Sequence, residues 1–150
     1  MSYYVCSGVE VCRDYEVHNI SSIFAWNMLR KEKKSILIDV RTKLEWDIIG
    51  YPDLDSLKKE IYKISWRLEP NMLRNENFIQ ELQYVVSGYN VPIIFICKSG
   101  SRSLEAAIAA MFFGYKRCYN ILAGFEGIGN QLDNNIKGWK EQQLPWKQSY

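Results

Sequence analysis

A thiol, an ammonium, a guanidinium and three hydroxyls fall together in CKSGSRS, Cys97 to Ser103. The apolar run Ile93 to Ile96 stands directly before this stretch and is short enough to be one buried strand. Leu104 to Phe113 follows, apolar at every position except Glu105, which predicts a helix that is apolar nearly all round and well buried. A strand therefore ends on Cys97, a small polar loop turns, and a helix begins. The amides of Lys98 to Ser103 then lie in the turn and the first helical turn, where N–H groups have no intrahelical partner. Such amides can converge on an anion, and the helix dipole favours negative charge there. Gly100 permits a backbone that a Cβ would penalise. Ser99, Ser101 and Ser103 crowd little and can donate hydrogen bonds, while Lys98 and Arg102 add positive charge. A thiol at the mouth of this cradle is expected to be held as thiolate, its reactive form.

The elements that must position this loop are legible as a strand–helix alternation. YEVHNI, Tyr15 to Ile20, alternates and suits a short strand. Ser21 or Ser22 can cap a helix running to about Lys33, with Ile23, Phe24, Trp26, Met28 and Leu29 packed on a sheet. SILIDV, Ser35 to Val40, is a second buried strand, and Thr42 with Glu45 opens a short helix as a capping box. Asp39 and Arg41 end that strand on the same edge as Cys97 if the sheet is parallel, where ligand groups gather; bracing of the loop is expected of them rather than direct catalysis. Gly50 to Ser56 reads as a loop and Lys59 to Trp66 as a third strand. Asn77 with Gln80 can cap a helix presenting Phe78, Ile79, Leu82, Val85 and Val86 on one face, ended by Gly88. Lys116 to Leu122 is a further strand and contains Cys118. The alternation predicts a mostly parallel sheet of about five strands covered on both faces, a three-layer α/β/α domain.

Composition narrows the function classes. The 150 residues suit one domain, residues 1–150, with 1–14 expected to be a loose leader. A net charge of +2 points neither to nucleic acid nor to a membrane surface, and the run Arg30, Lys31, Glu32, Lys33, Lys34 reads as a solvated helix end. No secretory pattern and no apolar run of membrane-spanning length are present, so a cytoplasmic protein with reduced cysteines is expected. Cys6 and Cys12 have no zinc spacing and His18 is the sole histidine, so neither a metal site nor any cofactor is expected. Nothing near His18 in sequence completes a catalytic dyad.

DVR at Asp39 to Arg41, CKSGSRS, Gly114–Tyr115 and YNILAGFEG at Tyr119 to Gly127 together resemble a single-domain rhodanese, a sulfurtransferase, over roughly residue 15 to the end. GWKEQQLPW, Gly138 to Trp146, is similar to the tail of some bacterial members. The resemblance implies the same α/β/α fold. Where many rhodaneses carry Gly-His-Ile-Pro, this chain has Gly-Tyr-Pro, and Ile128 to Lys137 looks like an insertion before the tail.

The resemblance implies thiosulfate:cyanide-type sulfur transfer. Cys97 is expected to take a sulfane sulfur from thiosulfate or a persulfide, carry it as a persulfide, and pass it to cyanide, a thiol or a carrier protein. Lys98, Ser99, Gly100, Ser101, Arg102 and Ser103 would hold the anionic donor, with Arg102 alternatively tied to a carboxylate that fixes the loop. A cysteine-dependent phosphatase or arsenate reductase is the competing enzyme reading. Those loops are one residue longer, whereas here only Lys98, Ser99, Gly100 and Ser101 separate Cys97 from Arg102. A tetrahedral oxyanion needs more room than one sulfur atom, so the short loop favours sulfur. A rhodanese-like module that only binds proteins is the third reading; it usually lacks the cysteine that this chain has. Cys118 is a candidate resolving thiol for Cys97.

Overall fold

The computed structural model describes residues 16–129 and 136–149. The expected leader with Cys6 and Cys12, and residues 130–135 of the expected insertion, lie outside the described residues. In chain order the elements are β1 (Val17–Ile20), α1 (Ser22–Lys31), β2 (Ile36–Asp39), α2 (Lys43–Ile48), β3 (Tyr51–Pro52), β4 (Tyr62–Lys63), β5 (Arg67–Leu68), β6 (Leu73–Arg74), α3 (Phe78–Val85), β7 (Ile93–Ile96), α4 (Ser101–Phe113), β8 (Cys118–Ile121) and β9 (Trp146–Lys147). Five strands form one parallel sheet in the order β1-β8-β7-β2-β4, so β7 lies at its centre.

The central strand shows why both faces are covered. Ile93, Phe95 and Cys97 share one core layer with Ile38, Val40, Phe78, Leu82, Ala106 and Ala110, which brings α3 and α4 onto that face. Ile94 and Ile96 alternate into the other layer with Ala25, Leu29, Leu37 and Trp139, under α1 and the C-terminal segment. A strand buried on both faces reads as an unbroken apolar run, as IIFI does.

Local chemistry sets the element ends. Ser21 caps α1 by accepting from the Phe24 N–H, and α1 stops at Lys31 rather than Lys33. The helix stops at the extended Glu32 cap, and just beyond it the Lys59 ammonium donates to the carbonyls of Glu32, Lys33 and Ser35. Ile23 and Phe24 do not pack on the sheet as expected; they are exposed, and Ser22, Ala25 and Leu29 form the buried face. The expected Lys59–Trp66 strand contracts to Tyr62–Lys63. Backbone bonds from Ile64 to Asp39 and from Trp66 to Val40 nonetheless continue along β2.

Three further expectations change. Gly50 to Ser56 contains β3, which pairs with β9 in the tail. Asn77 makes no side-chain cap to α3; the buried Asn75 accepts from the Asn77 N–H and donates to Ser65 O and Glu81, replacing the expected Asn77–Gln80 arrangement. The same helix ends at an extended Val86 cap, before Gly88. Finally, α4 is less enclosed than its composition suggests, because Phe112 is 70% exposed and Phe113 43%. Phe112 lies seven residues after the exposed Glu105, on the outer face of the helix, whereas Met111 in the same turn is buried against the core.

Candidate active site

Strand β7 delivers Cys97 to the point where the chain leaves the sheet, and α4 starts at Ser101. The Gly100 N–H donates to Cys97 Sγ at 3.1 Å. The first helical bond of α4 runs from the Leu104 N–H to Gly100 O, so the amides of Ser101, Arg102 and Ser103 precede it and face the loop end of the helix. Cys97 is 1% exposed, whereas Lys98, Ser99 and Ser101 are at the surface. The thiol thus sits at the floor of the turn and the polar side chains form its rim.

Two glycines allow the loop to lie this low. Gly100 has φ +107°, and a Cβ there would stand 2.0 Å from Leu122 O. Gly124 has φ +64°, and a Cβ there would stand 2.5 Å from the carbonyl of Lys98 and 2.6 Å from that of Cys97. With no Cβ in the way, the Phe125 and Glu126 N–H groups donate to Cys97 O and Lys98 O at 2.8 and 2.9 Å. The loop backbone is therefore stitched to the turn that follows β8.

Arg102 is committed to a carboxylate. Its Nη1 and Nη2 donate to Glu45 Oε1 and Oε2 at 2.8 and 2.9 Å, a two-pronged contact between side chains only 16% and 19% exposed. Glu45 also closes the capping box of α2, accepting from the Thr42 N–H at 3.2 Å while Thr42 Oγ1 accepts from the Glu45 N–H. Burial pushes the Glu45 carboxyl up, but the hydrogen bonds and charge of Arg102, with those from Thr42, outweigh it and hold the group below its ordinary value. Hydrogen bonding to Glu45 likewise raises Arg102. In sequence Glu45 reads as a cap alone; the separation of 57 positions hides its second role.

Asp39 and Arg41 lie on the other side of the sheet from Cys97 and reach the loop indirectly. Both are fully buried, joined at 3.0 and 2.6 Å, and Arg41 also donates to Gly50 O. The Arg41 guanidinium stacks 4.3 Å from the centre of the Phe125 ring, and Phe125 is the residue whose N–H holds Cys97 O.

Ser103 is buried and its hydroxyl lies 3.1 Å from Cys97 Sγ and 2.5 Å from Asn120 Oδ1. Asn120 was not singled out from the sequence. The available signal was one polar residue inside an otherwise apolar strand. Its register beside Phe95 puts it next to the loop.

Cys118 is not brought near Cys97. It pairs with Ile93, at the far end of β7. Four residues of strand separate the two thiols, about 13 Å at ~3.3 Å per residue, far beyond the Cα separation a disulfide spans. Burial also pushes the Cys118 thiol up to about 12. His18 is half exposed beside Glu16 and tilted against Tyr119, on the register row before Asn120.

Residues 24–131 match the family described as Rhodanese-like domain. The chain belongs to the rhodanese-like family. An uncharacterised protein of Rickettsia conorii is 42% identical over 131 residues, which cover 87% of this chain and 98% of that protein. The crystal structure of Rv0390 from M. tuberculosis superposes with a TM-score of 0.76 at 38% identity, covering 88% of this chain and 98% of that one. A polysulfide-sulfur transferase homodimer from Wolinella succinogenes shares the fold with a TM-score of 0.64 at 23% identity, over 88% of this chain and 79% of that chain. In this rhodanese-like chain no described helix is long and apolar enough to cross a membrane.

Proposed function

We propose that the protein is a sulfurtransferase of the thiosulfate:cyanide type that uses Cys97 as its nucleophile. The observation that carries the reading is the Cys97 thiol at the head of α4 with the Gly100 N–H on its sulfur, in a loop whose arginine is paired end-on with Glu45. Cys97 thiolate attacks the outer sulfur of thiosulfate. A new S–S bond forms, and sulfite leaves with the electron pair of the old one. The charge of the resulting persulfide rests near the loop amides and the helix N-terminus. Cyanide, a thiol or a protein acceptor then attacks the outer sulfur, taking it and returning the electron pair to Cys97. The exposed Lys98 draws in the anionic donor, and the surface hydroxyls of Ser99 and Ser101 are placed to meet its oxygens. Asp39 and Arg41 hold the Phe125 turn beneath the loop. The same reading assigns no cofactor and no metal, no nucleic-acid or membrane partner, and a cytoplasmic setting that keeps Cys97 reduced.

A phosphatase or arsenate reductase grips its oxyanion with the loop arginine. Here two of the five Arg102 N–H groups, one on each terminal nitrogen, are given to Glu45, which leaves fewer for an oxyanion and favours sulfur. The low exposure of Cys97 favours it too, since a bare terminal sulfur is a thinner group than a tetrahedral phosphate. The test is intact and peptide-resolved mass spectrometry after incubation with thiosulfate or an inorganic polysulfide. One sulfur atom added at Cys97, released by cyanide and absent in Cys97→Ala, is the expected result. A protein of unchanged mass with either donor would overturn the proposal.

A further inference from the structure

The Ser103 hydroxyl has one proton and two neighbours that want it. Cys97 Sγ lies 3.1 Å away and Asn120 Oδ1 2.5 Å away. The orientation of Asn120 is fixed independently, because its Nδ2 donates to Gly100 O at 3.2 Å and to Asn19 Oδ1 at 2.9 Å. A backbone carbonyl cannot donate, so the nitrogen must face Gly100 and the oxygen must face Ser103. One hydroxyl proton cannot serve both: Asn120 Oδ1 can only accept it, at the shorter of the two contacts, while the 3.1 Å geometry also lets Ser103 donate to Cys97 Sγ. An anionic Cys97 needs the hydroxyl to turn and give its proton to sulfur, leaving Asn120 Oδ1 without it.

We propose that Asn120 is a positioning residue that competes with Cys97 for the Ser103 proton and so sets how readily Cys97 becomes anionic. The proposal deepens the sulfur-transfer reading of the same site and rests on it for its purpose, though not for its test. Asn120 works through Ser103 and touches no donor. Its other bonds reach the loop at Gly100 and the edge strand at Asn19, so the position of β1 is tied to the same proton. The charged groups around Cys97 are Lys98 and Arg102 on the loop and α4, Asp39 at the end of β2 with Arg41 just past it, Glu45 on α2 behind Arg102, and Glu126 in the turn whose N–H holds Lys98 O. From β1, His18 lies out beside Glu16. None of these is altered by changing Asn120.

The test is the rate of Cys97 carbamidomethylation by iodoacetamide against pH, read on the Cys97 peptide so that the other cysteines do not contribute. Four proteins are compared: wild type, Asn120→Ala, Ser103→Ala and the double variant. Removing the competitor leaves the hydroxyl free for sulfur, so Asn120→Ala is expected to react about three- to tenfold faster below the wild-type midpoint, the scale of one neutral hydrogen bond. Its whole profile should move to lower pH. In the Ser103→Ala background the same change is expected to have no effect, because there is no proton to compete for. Where Asn120→Ala fails to fold, Asn120→Leu keeps the γ-branched shape and carries the same expectation. An unmoved or slower profile, or an acceleration that persists without Ser103, would overturn the inference. Sulfur loading by thiosulfate is measured on the same samples. Loading with an unmoved profile refutes the role of Asn120 alone, whereas a moved profile without loading refutes sulfur transfer alone.

Discussion

Breaking the Arg102–Glu45 contact is the perturbation that best separates a brace from a substrate clamp. Exposed ion pairs contribute about 0.2–1 kcal/mol, and removing one partner of a fully buried pair costs about 3–5 kcal/mol. At 16% and 19% exposure with two short bonds, this pair lies between, and Arg102→Ala should cost about 2–3 kcal/mol. Glu45→Ala also opens the capping box and should cost about 1 kcal/mol more. At roughly 2–4 °C per kcal/mol for a chain of this size, Glu45→Ala should lose on the order of 10 °C in Tm. Urea denaturation of wild type, both single variants and the double variant gives the coupling, expected at about 1–2 kcal/mol at pH 7. Because Glu45 is held below its ordinary value, the stabilisation is complete above the unfolded carboxyl value of about 4.3 and is lost as pH falls through the lower folded value. The coupling should therefore be constant from pH 5 to 7 and disappear in stronger acid. Arg102→Lys should not rescue, since an ammonium cannot reproduce the fork. Sulfur transfer should drop by about 100-fold in kcat, the scale of a loop displaced by about 1 Å. A coupling below about 0.5 kcal/mol, or a raised KM with unchanged stability, would refute the brace and make Arg102 a donor contact.

Gly124→Ala puts a methyl 2.5 Å from the Lys98 carbonyl at a positive φ, so loop and turn must separate; near-complete loss of sulfur loading is expected, and wild-type loading would show that this stitching is dispensable. Lys98→Ala should raise the apparent KM for thiosulfate several-fold with kcat nearly unchanged, read in steady-state kinetics with a dianionic donor; an unchanged KM would remove Lys98 from donor capture. Cys118→Ala should leave transfer at wild-type rates and cost about 1 kcal/mol as a small buried cavity in urea denaturation; impaired turnover there would reinstate it as a thiol partner.

The parts of the site built from adjacent residues were legible. The IIFI run, the glycine and serines after Cys97, and the Thr42–Glu45 box each carry their signal within a few positions, and each appears in the structure. What was not legible depends on pairing across the chain. Glu45 meets Arg102, Asn120 meets Ser103, and Phe125 meets the Cys97 carbonyl only after β2, β7 and β8 are set side by side. Two-residue strands such as β3 and β9 have no period to read. The carbonyls just past the end of α1 are held by a lysine over twenty positions away. The exposed Phe112 shows the limit of hydropathy where an apolar residue falls on the outer face of a helix whose next-door Met111 is buried.

The cradle spends most of its polarity on itself. The Cys97 and Lys98 carbonyls are held by the turn after β8, Arg102 by α2, and Ser103 by Asn120. Of the two cations in the loop, Lys98 is the one left at the surface. On the proposed reading a donor meets one lysine, two surface hydroxyls and the helix N-terminus, equivalent to about half a charge. Such a site can draw in a small anion but has little with which to grip a particular one. Selectivity must then come from what fits above a sulfur that is 1% exposed, and that criterion favours a narrow terminal atom over a bulky headgroup. On the sulfur-transfer reading proposed above, the internal bracing and the preference for a narrow donor follow from the same feature: Arg102 and Ser103, two groups that could have met an oxyanion, already fasten the loop.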